Sequence, residues 1–170
     1  MSSEPEYADR SNALLALYDR VLPDVYGYLR TRCGSTALAE DLTAETFLAA
    51  VVAVRSGASP TPAWLVTVAR NKLVDHWRRE ARERRSLQLV EPLPGPDDPW
   101  DARLDVLRAR DVLQRLGPHH RTALTLRYVD DLPVPEVARL LGRTRHATEA
   151  LIVRARAAFR AAYEEGSGDD

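Results

Sequence analysis

VPEVARLLGRTRHATEALIVRARAAFR, residues 134–160, is the stretch of sequence that decides the fold. Three apolar residues at helical spacing predict a short helix: Val137, Ala138 and Leu141. A second apolar series predicts the helix that follows: Ala147, Leu151, Ala155 and Phe159. Between them, Gly142 supplies a tight turn and Thr144 is the expected N-cap of the second helix. The pattern therefore predicts two crossed helices joined by a glycine turn, which is a helix-turn-helix.

A helix-turn-helix places the first residues of its second helix in the major groove of DNA, while flanking groups hold phosphates. Those first residues are Arg145, His146, Thr148 and Glu149. An arginine can read guanine, and a glutamate can accept a hydrogen bond from cytosine. A plain structural hairpin of two helices with a glycine turn gives the same pattern, so the motif alone leaves that alternative open.

Three apolar segments predict helices in the N-terminal half of the chain. The first spans residues 14–29, and Pro23 within it is expected to end one helix and open another, with Gly34 following the end of the second. The next amphipathic segment restarts at Ser35 and continues to about Val54. Residues 55–61 read RSGASPT and predict a loop before the third segment.

The third segment predicts a long helix that begins at Pro62, with Thr61 as its cap. Its apolar stripe consists of Trp64, Leu65, Val68, Ala69, Leu73 and Trp77. Core packing is expected for Trp64, whereas Trp77 fits either the core or the surface. The opposite, polar face carries Arg70, Asn71, Asp75, Arg78 and Arg79.

The C-terminal half begins with a proline-rich stretch. Four prolines between residues 92 and 99 exclude a regular element, so residues 87–100 predict a linker. Helical spacing returns in two series: Leu104, Leu107, Val112 and Leu116 before Gly117-Pro118, and Ala123, Leu124, Leu126 and Tyr128 after it. Because strand-like alternation is absent from the sequence, we expect an all-α protein with two small helical domains joined by a flexible linker.

The charge is unevenly distributed along the 170 residues. The 24 basic residues, all but Lys72 arginine, nearly balance 25 acidic ones, for a net charge of -1. Residues 55–85 nevertheless hold 8 basic and 3 acidic side chains, and residues 119–163 hold 8 and 4. Two basic blocks suggest two surfaces for a polyanion. Two solvated helix faces would give the same distribution of charge. The charge alone therefore does not indicate a surface that binds a polyanion, and the interpretation also depends on the helix-turn-helix motif.

The sequence offers no chemistry for an enzyme. A single cysteine, Cys33, excludes an internal disulfide and a multi-cysteine zinc site. Glycine-rich phosphate loops, nucleophile elbows and metal-ligand clusters are absent, so we expect no catalytic activity, no metal and no cofactor. The sequence lacks an apolar run near the ~20 residues that span a membrane. With a polar N-terminus that lacks a signal-peptide pattern, the expectation is a cytoplasmic protein without membrane insertion.

Three blocks in a fixed order carry a family resemblance over about residues 11–160. They are AEDLTAETFLAAV (39–51), AWLVTVARNKLVDHWRR (63–79) and LGPHHRTALTLRYVDDLPVPEVARLLG (116–142). The chain resembles the extracytoplasmic-function (ECF) sigma factors of bacterial RNA polymerase, in the sigma-70 family. The resemblance implies a non-catalytic factor that directs core polymerase to promoters and helps melt the minus-10 region. Its partners would be core RNA polymerase, promoter DNA and a cognate anti-sigma factor.

The resemblance also implies a division of the chain and roles for individual residues. Residues 1–85 would form a region 2-like domain, 86–103 a linker, 104–163 a region 4-like domain and 164–170 an acidic tail. Polymerase docking would use Asp41, Leu42, Glu45, Thr46 and Phe47. Minus-10 DNA would meet Arg70, Asn71, Asp75, His76, Arg78 and Arg79. Minus-35 DNA would meet Arg143, Thr144, Arg145, His146, Thr148, Glu149 and Arg154.

Some positions depart from the family pattern. Ala44 stands where the family usually has glutamine, so one polymerase contact is missing. Glu149 and Leu151 replace a usual lysine and arginine in the second helix of the motif. The loop at residues 55–61, where the family holds a flipped base, lacks the aromatic residue often found there.

Two other kinds of protein fit parts of the sequence. A helix-turn-helix regulator that acts without polymerase would explain the C-terminal domain but would leave residues 39–51 and 63–79 without a purpose. A helical adaptor that binds only proteins would leave both basic blocks unexplained.

Overall fold

The computed structural model describes residues 4–85 and 105–166, and over these ranges every regular element is helical. The helices are α1 Glu4–Arg32, α2 Thr36–Arg55, α3 Pro62–Arg85, α4 Val106–Arg115, α5 Pro118–Leu124, α6 Val134–Leu141 and α7 Arg145–Glu165. A π-helical turn, Thr125–Val129, continues α5. The all-α prediction is confirmed. The predicted linker at residues 86–103 lies outside the described residues.

The chain forms two compact units, Met1–Leu73 and Val74–Asp170, so the boundary between them falls inside α3. In the first unit, a buried stripe on α1 repeats every fourth residue. It consists of Leu17, Val21, Val25, Leu29 and Cys33. Buried residues of α2 and α3 complete the apolar set of this unit: Ala39, Leu42, Phe47, Ala50, Val54, Leu65, Ala69 and Leu73.

The prediction that Pro23 separates two helices is wrong, because α1 continues through it. A proline inside a helix removes one hydrogen bond and costs roughly 3 kcal/mol. On both sides of Pro23 the same helix face is buried, with Val21 and Val25 at 2% and 0% exposure. Burying each such side chain contributes roughly 1.5–3 kcal/mol, so packing of the continuous stripe outweighs the local cost.

Helix beginnings follow the sequence closely. Ser35 caps α2 by accepting a hydrogen bond from the Leu38 amide at 3.1 Å. Thr61 caps α3 by accepting from the Trp64 amide at 3.2 Å. Both caps satisfy backbone donors that the first turn leaves unpaired. The loop between these helices consists of residues 56–61, one residue shorter than the predicted loop at 55–61, because Arg55 still belongs to α2.

Of the two tryptophans of α3, Trp64 departs from its expected place, whereas Trp77 takes the core position, one of the two left open for it. Trp64, predicted to lie in the core, is 36% exposed, whereas Trp77 is 1% exposed. The buried stripe of α3 begins one residue later, at Leu65, which turns Trp64 away from it by about 100°. Within the second unit, the Arg121 guanidinium lies over the Trp77 ring at 5.8 Å.

Two apolar clusters hold the second unit together. One joins α5, α6 and α7 around Ala123, Val137, Leu141, Leu151 and Ile152. The other joins α4 to α5 and α7 through Val112, Leu116, Leu124, Ala155 and Phe159. These clusters bury the inward series that the sequence predicts for α6 and α7, except Ala147, which is half-buried. Leu107, an apolar residue of the first predicted series, is exposed instead.

The π-helical turn is a feature that the sequence pattern did not predict. The Asp130 amide donates to the Thr125 carbonyl at 2.9 Å, which is the five-residue spacing of a π-helix. This wider turn leaves Leu126 buried and turns Tyr128 and Val129 outward. Asp131 follows in the left-handed region, at φ 52°, which aspartate adopts more readily than most residues.

Candidate nucleic-acid interface

The helix-turn-helix forms as the sequence predicts. Gly142 adopts φ 62° and ψ 38° after α6, a left-handed conformation that a residue with a Cβ rarely adopts. Thr144 caps α7 by accepting from the Ala147 amide at 3.1 Å. Val137 and Leu141 of α6 pack against Leu151 of α7, so the crossing of the two helices is fixed by buried contacts.

The first turn of α7 presents a polar surface. Arg145, His146 and Glu149 are exposed. The Arg145 Nε donates to Glu149 Oε1 at 2.9 Å, and the Arg145 side chain keeps 71% of its surface exposed. Arg143 and Arg154 lie half-buried beside this turn. The Arg145 guanidinium is therefore held through its Nε next to a carboxylate, on the part of the helix that meets base edges in this motif.

Thr148 belongs to the interior, which corrects its assignment to the DNA-reading surface. Its side chain is 0% exposed, and its hydroxyl donates to the Thr144 carbonyl at 2.9 Å. Thr144 also uses its hydroxyl inside the helix, as the cap. Both threonines therefore position α7, while Arg145, His146 and Glu149 remain as the side chains that can meet a base.

Only part of the polar face of α3 is exposed to solvent. Asn71, Asp75, Arg78 and Arg79 are exposed, while Arg70 and His76 are half-buried. Positions 71, 75 and 78 follow one another at helical spacing, so they share one side of the helix. This side mixes one carboxylate with basic and amide groups.

An apolar groove with an acidic edge lies on the first unit, where α1 and α2 pack together. It is a cavity of about 430 Å³ that is lined by Tyr18, Leu22, Pro23, Tyr26, Glu40, Thr43, Ala44 and Phe47. The Tyr18 and Phe47 rings meet edge to face, with centroids 4.7 Å apart. We call this cavity the α1–α2 groove. The α1 side of the groove was not predicted from the sequence, although Tyr18, Leu22 and Tyr26 recur every fourth residue.

The residues predicted for polymerase docking divide between surface and core. Asp41 and Glu45 are exposed, and Glu45 lies 3.8 Å from Lys72 as an ion pair. Leu42 and Thr46 are buried, and the Thr46 hydroxyl donates to the Leu42 carbonyl at 2.7 Å. The assignment of Leu42 and Thr46 to a docking surface is therefore corrected: they hold α2 in place. Phe47 is also buried, but one side of its ring lines the α1–α2 groove.

A second apolar groove lies on the second unit, between α4, the π-helical turn and α7. It is a cavity of about 340 Å³ lined by Ala109, Leu113, Leu124, Tyr128, Val129, Arg156, Phe159 and Arg160. We call it the π-turn groove, because the π-helical turn brings the exposed Tyr128 and Val129 to its edge. No pattern in the sequence predicts this groove, since a regular α-helix would place these two side chains differently.

Metal-ligand clusters and membrane helices were also sought among the described residues. Residues 4–85 and 105–166 contain no group of three or more histidine, cysteine, aspartate or glutamate side chains that could hold a metal ion. Within the same ranges, every helix is too short or too polar to cross a membrane.

Each of the two units matches a known protein family. The Sigma-70 region 2 family matches residues 17–83, and the Sigma-70 region 4 family matches residues 107–159. The ECF RNA polymerase sigma factor SigL of Mycobacterium tuberculosis is 31% identical in an alignment of 157 positions that covers 88% of this chain and 88% of SigL. The chain therefore belongs to the sigma-70 family, as an ECF RNA polymerase sigma factor.

Other relatives agree with this placement. The ECF sigma factor BldN of Streptomyces coelicolor is 35% identical in an alignment of 160 positions that covers 89% of this chain and 61% of BldN. The chain thus spans about three fifths of the length of that relative. The ECF sigma factor SigM of Bacillus subtilis is 28% identical over 91% of this chain and 97% of SigM. The chain shares the fold of the sigma factor RpoE from Bartonella quintana, whose structure was solved in complex with the anti-sigma factor NepR. The TM-score is 0.53 at 22% identity, and the match covers 86% of this chain and 94% of RpoE.

Proposed function

We propose that this chain directs bacterial core RNA polymerase to promoters, reading an upstream duplex element with α7 and engaging the melted region with α3. The observation that carries the proposal is the first turn of α7, where Arg145, His146 and Glu149 are exposed. The opposite side of this helix is held by buried contacts with α6. The family membership of both units supports the same function. Such a factor selects the site of transcription and leaves the chemistry to the polymerase.

Upstream reading rests on Arg145. Its Nε is occupied by Glu149, but an arginine carries further donors on its two terminal nitrogens. These can reach the two acceptors of a guanine while Glu149 holds the side chain in place. Arg143 and Arg154 flank the turn and are the phosphate-contact candidates.

Engagement of the melted region rests on α3. Arg78 and Arg79 are exposed cations for the phosphates of the separated strands. The Trp64 indole, one third exposed in the first turn of α3, offers a face on which an unpaired base can stack. Stacking of a base on an aromatic side chain contributes roughly 1–3 kcal/mol. This role replaces the core position that the sequence suggested for Trp64.

Polymerase docking is proposed for the α1–α2 groove and its acidic edge. The groove exposes apolar surface beside Glu40, so it fits a partner helix with apolar and basic side chains. Tyr18 and Phe47 would contact the apolar side chains, while the Glu40 carboxylate would select the basic ones. Since polymerase is cytoplasmic in bacteria, we place the chain there too.

An anti-sigma partner is proposed for the π-turn groove. Exposed Tyr128 and Val129 stand beside Arg156 and Arg160, so this surface favours a partner helix with apolar and acidic side chains. The charge preference is opposite to that of the α1–α2 groove. One partner chemistry would therefore not serve both surfaces.

Reconstitution with core RNA polymerase tests the proposed function. The polymerase with and without the chain transcribes a pool of templates with random upstream sequences, and the 5′ ends of the transcripts are sequenced. We expect transcripts from a small set of templates that share two separated elements, only when the chain is present. The free chain is expected to bind duplex DNA weakly, because its net charge is -1. Tight, sequence-specific binding of the free chain at physiological salt, with unchanged start sites, would favour a regulator that acts without polymerase.

A further inference from the structure

We propose that Ala150 and Val153 of α7 read the methyl groups of two thymines in the upstream element, near the guanine that Arg145 contacts. This assignment rests on the proposed function of α7 and names the bases that a further part of the helix selects. Neither Ala150 nor Val153 was given a role from the sequence.

The side of α7 that lies farthest from the core is apolar beyond its first turn. The buried side of the helix consists of Thr148, Leu151, Ile152, Ala155 and Phe159. At about 3.6 residues per turn, positions 146, 150 and 153 lie roughly 140–170° around the helix from the centre of that buried side. Ala150 is exposed and Val153 is half-buried. The outward side of α7 therefore continues from His146 into two apolar side chains, which we call the apolar strip.

The chemistry of the apolar strip limits what it can select. The side chains of Ala150 and Val153 carry no hydrogen-bond donor or acceptor. On the edges that bases present in the major groove, the apolar group is the methyl group of thymine, and alanine is among the side chains that contact it. A cytosine amino group or a guanine oxygen at the same place would lose its hydrogen bonds to water against an apolar surface. The strip therefore favours thymine and disfavours G·C pairs.

Arginines border the apolar strip, which indicates duplex DNA as its occupant. Arg145 lies on one side of the strip and Arg154 on the other, when positions are placed at about 3.6 residues per turn. Glu149, the one acidic residue between positions 145 and 155, is already paired with Arg145. In the major groove, thymine methyl groups lie between two rows of phosphates. Apolar contacts at the centre and cations at the edges match this arrangement.

The spacing of the two residues fits successive base pairs. Three residues advance an α-helix by about 4.5 Å, and successive bases along one strand are about 3.4 Å apart. Ala150 lies about 7.5 Å beyond Arg145 along the helix axis, which corresponds to roughly two base pairs. The upstream element is therefore expected to combine one guanine with a neighbouring step of two A·T pairs.

Deoxyuridine tests for the methyl group alone, because it differs from thymidine only in lacking that group. The probe is a promoter that the parent complex with core polymerase selects from the random template pool. Each thymine of its upstream element, on either strand, is replaced in turn by deoxyuridine, and binding of the complex is measured by competition. At two neighbouring positions, we expect about two- to fourfold weaker binding of the parent, the factor for loss of one buried methyl group.

Two variants connect each methyl group to one residue. Ala150→Gly and Val153→Ala each withdraw apolar surface from one thymine, so each variant should lose the response to deoxyuridine at its own position and keep it at the other. Ala161→Gly and Val106→Ala make the same chemical changes at exposed positions, near the end of α7 and at the start of α4. These two controls should respond as the parent does. Circular dichroism melting identifies any variant that fails to fold, and the deoxyuridine series on the parent does not depend on the variants.

The pattern of responses decides the inference. If deoxyuridine weakens the parent at no upstream position, or if the selected upstream element holds no thymine, the inference is overturned. If the responses persist unchanged in Ala150→Gly and Val153→Ala, the methyl groups act through the shape of the DNA, and the assignment to these two residues is wrong. If the parent complex selects no promoter at all, the proposed function fails instead, so the two failures are distinguishable.

Discussion

The pairing of Arg145 with Glu149 gives the sharpest test of the proposal that α7 reads DNA. The two side chains are four residues apart, exposed, and joined at 2.9 Å. Exposed pairs of this kind contribute roughly 0.2–1 kcal/mol. Here the cation precedes the anion, which is the less favourable order with respect to the helix dipole. The pair therefore contributes little to the stability of α7. Its main effect is to orient the Arg145 side chain.

The magnitudes follow from this geometry. A good bidentate contact between arginine and guanine discriminates by roughly 1–3 kcal/mol. Arg145→Ala should therefore weaken binding to the cognate upstream element about 5- to 150-fold, since 1.4 kcal/mol is a factor of ten. Glu149→Gln should cost less than about 1 kcal/mol, because it removes only the orientation of the arginine. The free energy of unfolding should change by less than about 0.5 kcal/mol in either variant.

The assay is a double-mutant cycle on the polymerase complex at one fixed salt concentration. Each variant, and the double variant, competes for the selected promoter and for every single-base change in its upstream element. We expect Glu149→Gln to have an effect in the parent and none in the Arg145→Ala background. Additive effects would show that Glu149 reads DNA on its own, by accepting from a cytosine, and would refute the positioning role. A uniform loss over all sequences with Arg145→Ala would show a phosphate contact and refute base reading.

Three further predictions concern other parts of the chain. Arg78→Ala/Arg79→Ala should weaken every promoter, lower the salt dependence of binding and reduce the permanganate reactivity of unpaired thymines, and a premelted template should restore part of the loss. Gly142→Ala should lower the free energy of unfolding by about 1–2 kcal/mol, because φ is 62° at this position. Gly27→Ala inside α1 should raise the free energy of unfolding by about 0.5–1 kcal/mol, because an added Cβ meets nothing within 4 Å there. Denaturant titration measures both changes. Thr148→Val should leave promoter preference unchanged in the competition assay, and an altered preference would return Thr148 to the DNA-reading surface.

The structural features that the sequence predicted correctly are those that depend on interactions within a few neighbouring residues. The caps at Thr61 and Thr144 and the glycine turn at Gly142 form as expected, because each depends on a local hydrogen bond or a local backbone conformation. The family blocks then supplied the function, which composition and spacing alone left open among three kinds of protein.

Features decided by tertiary packing could not be read in the same way. Pro23 remains helical because the buried residues on both sides of it belong to one continuous stripe. The exposures of Trp64 and Trp77 depend on where the buried stripe of α3 begins, and a tryptophan fits both patterns. Thr148 looked available because it stands in the first turn of the recognition helix, yet its side chain faces inward.

The most direct test of the central claim is a single comparison of transcript start sites. Core polymerase transcribes the random template pool with the parent chain, with Arg145→Ala, and with Arg78→Ala/Arg79→Ala, and the 5′ ends are sequenced. The proposed division of roles between α7 and α3 predicts two shared elements with the parent, relaxed preference at one position of the upstream element with Arg145→Ala, and the same elements at lower yield with Arg78→Ala/Arg79→Ala. Start sites that do not depend on the chain, or that change identically in the two variants, would contradict it.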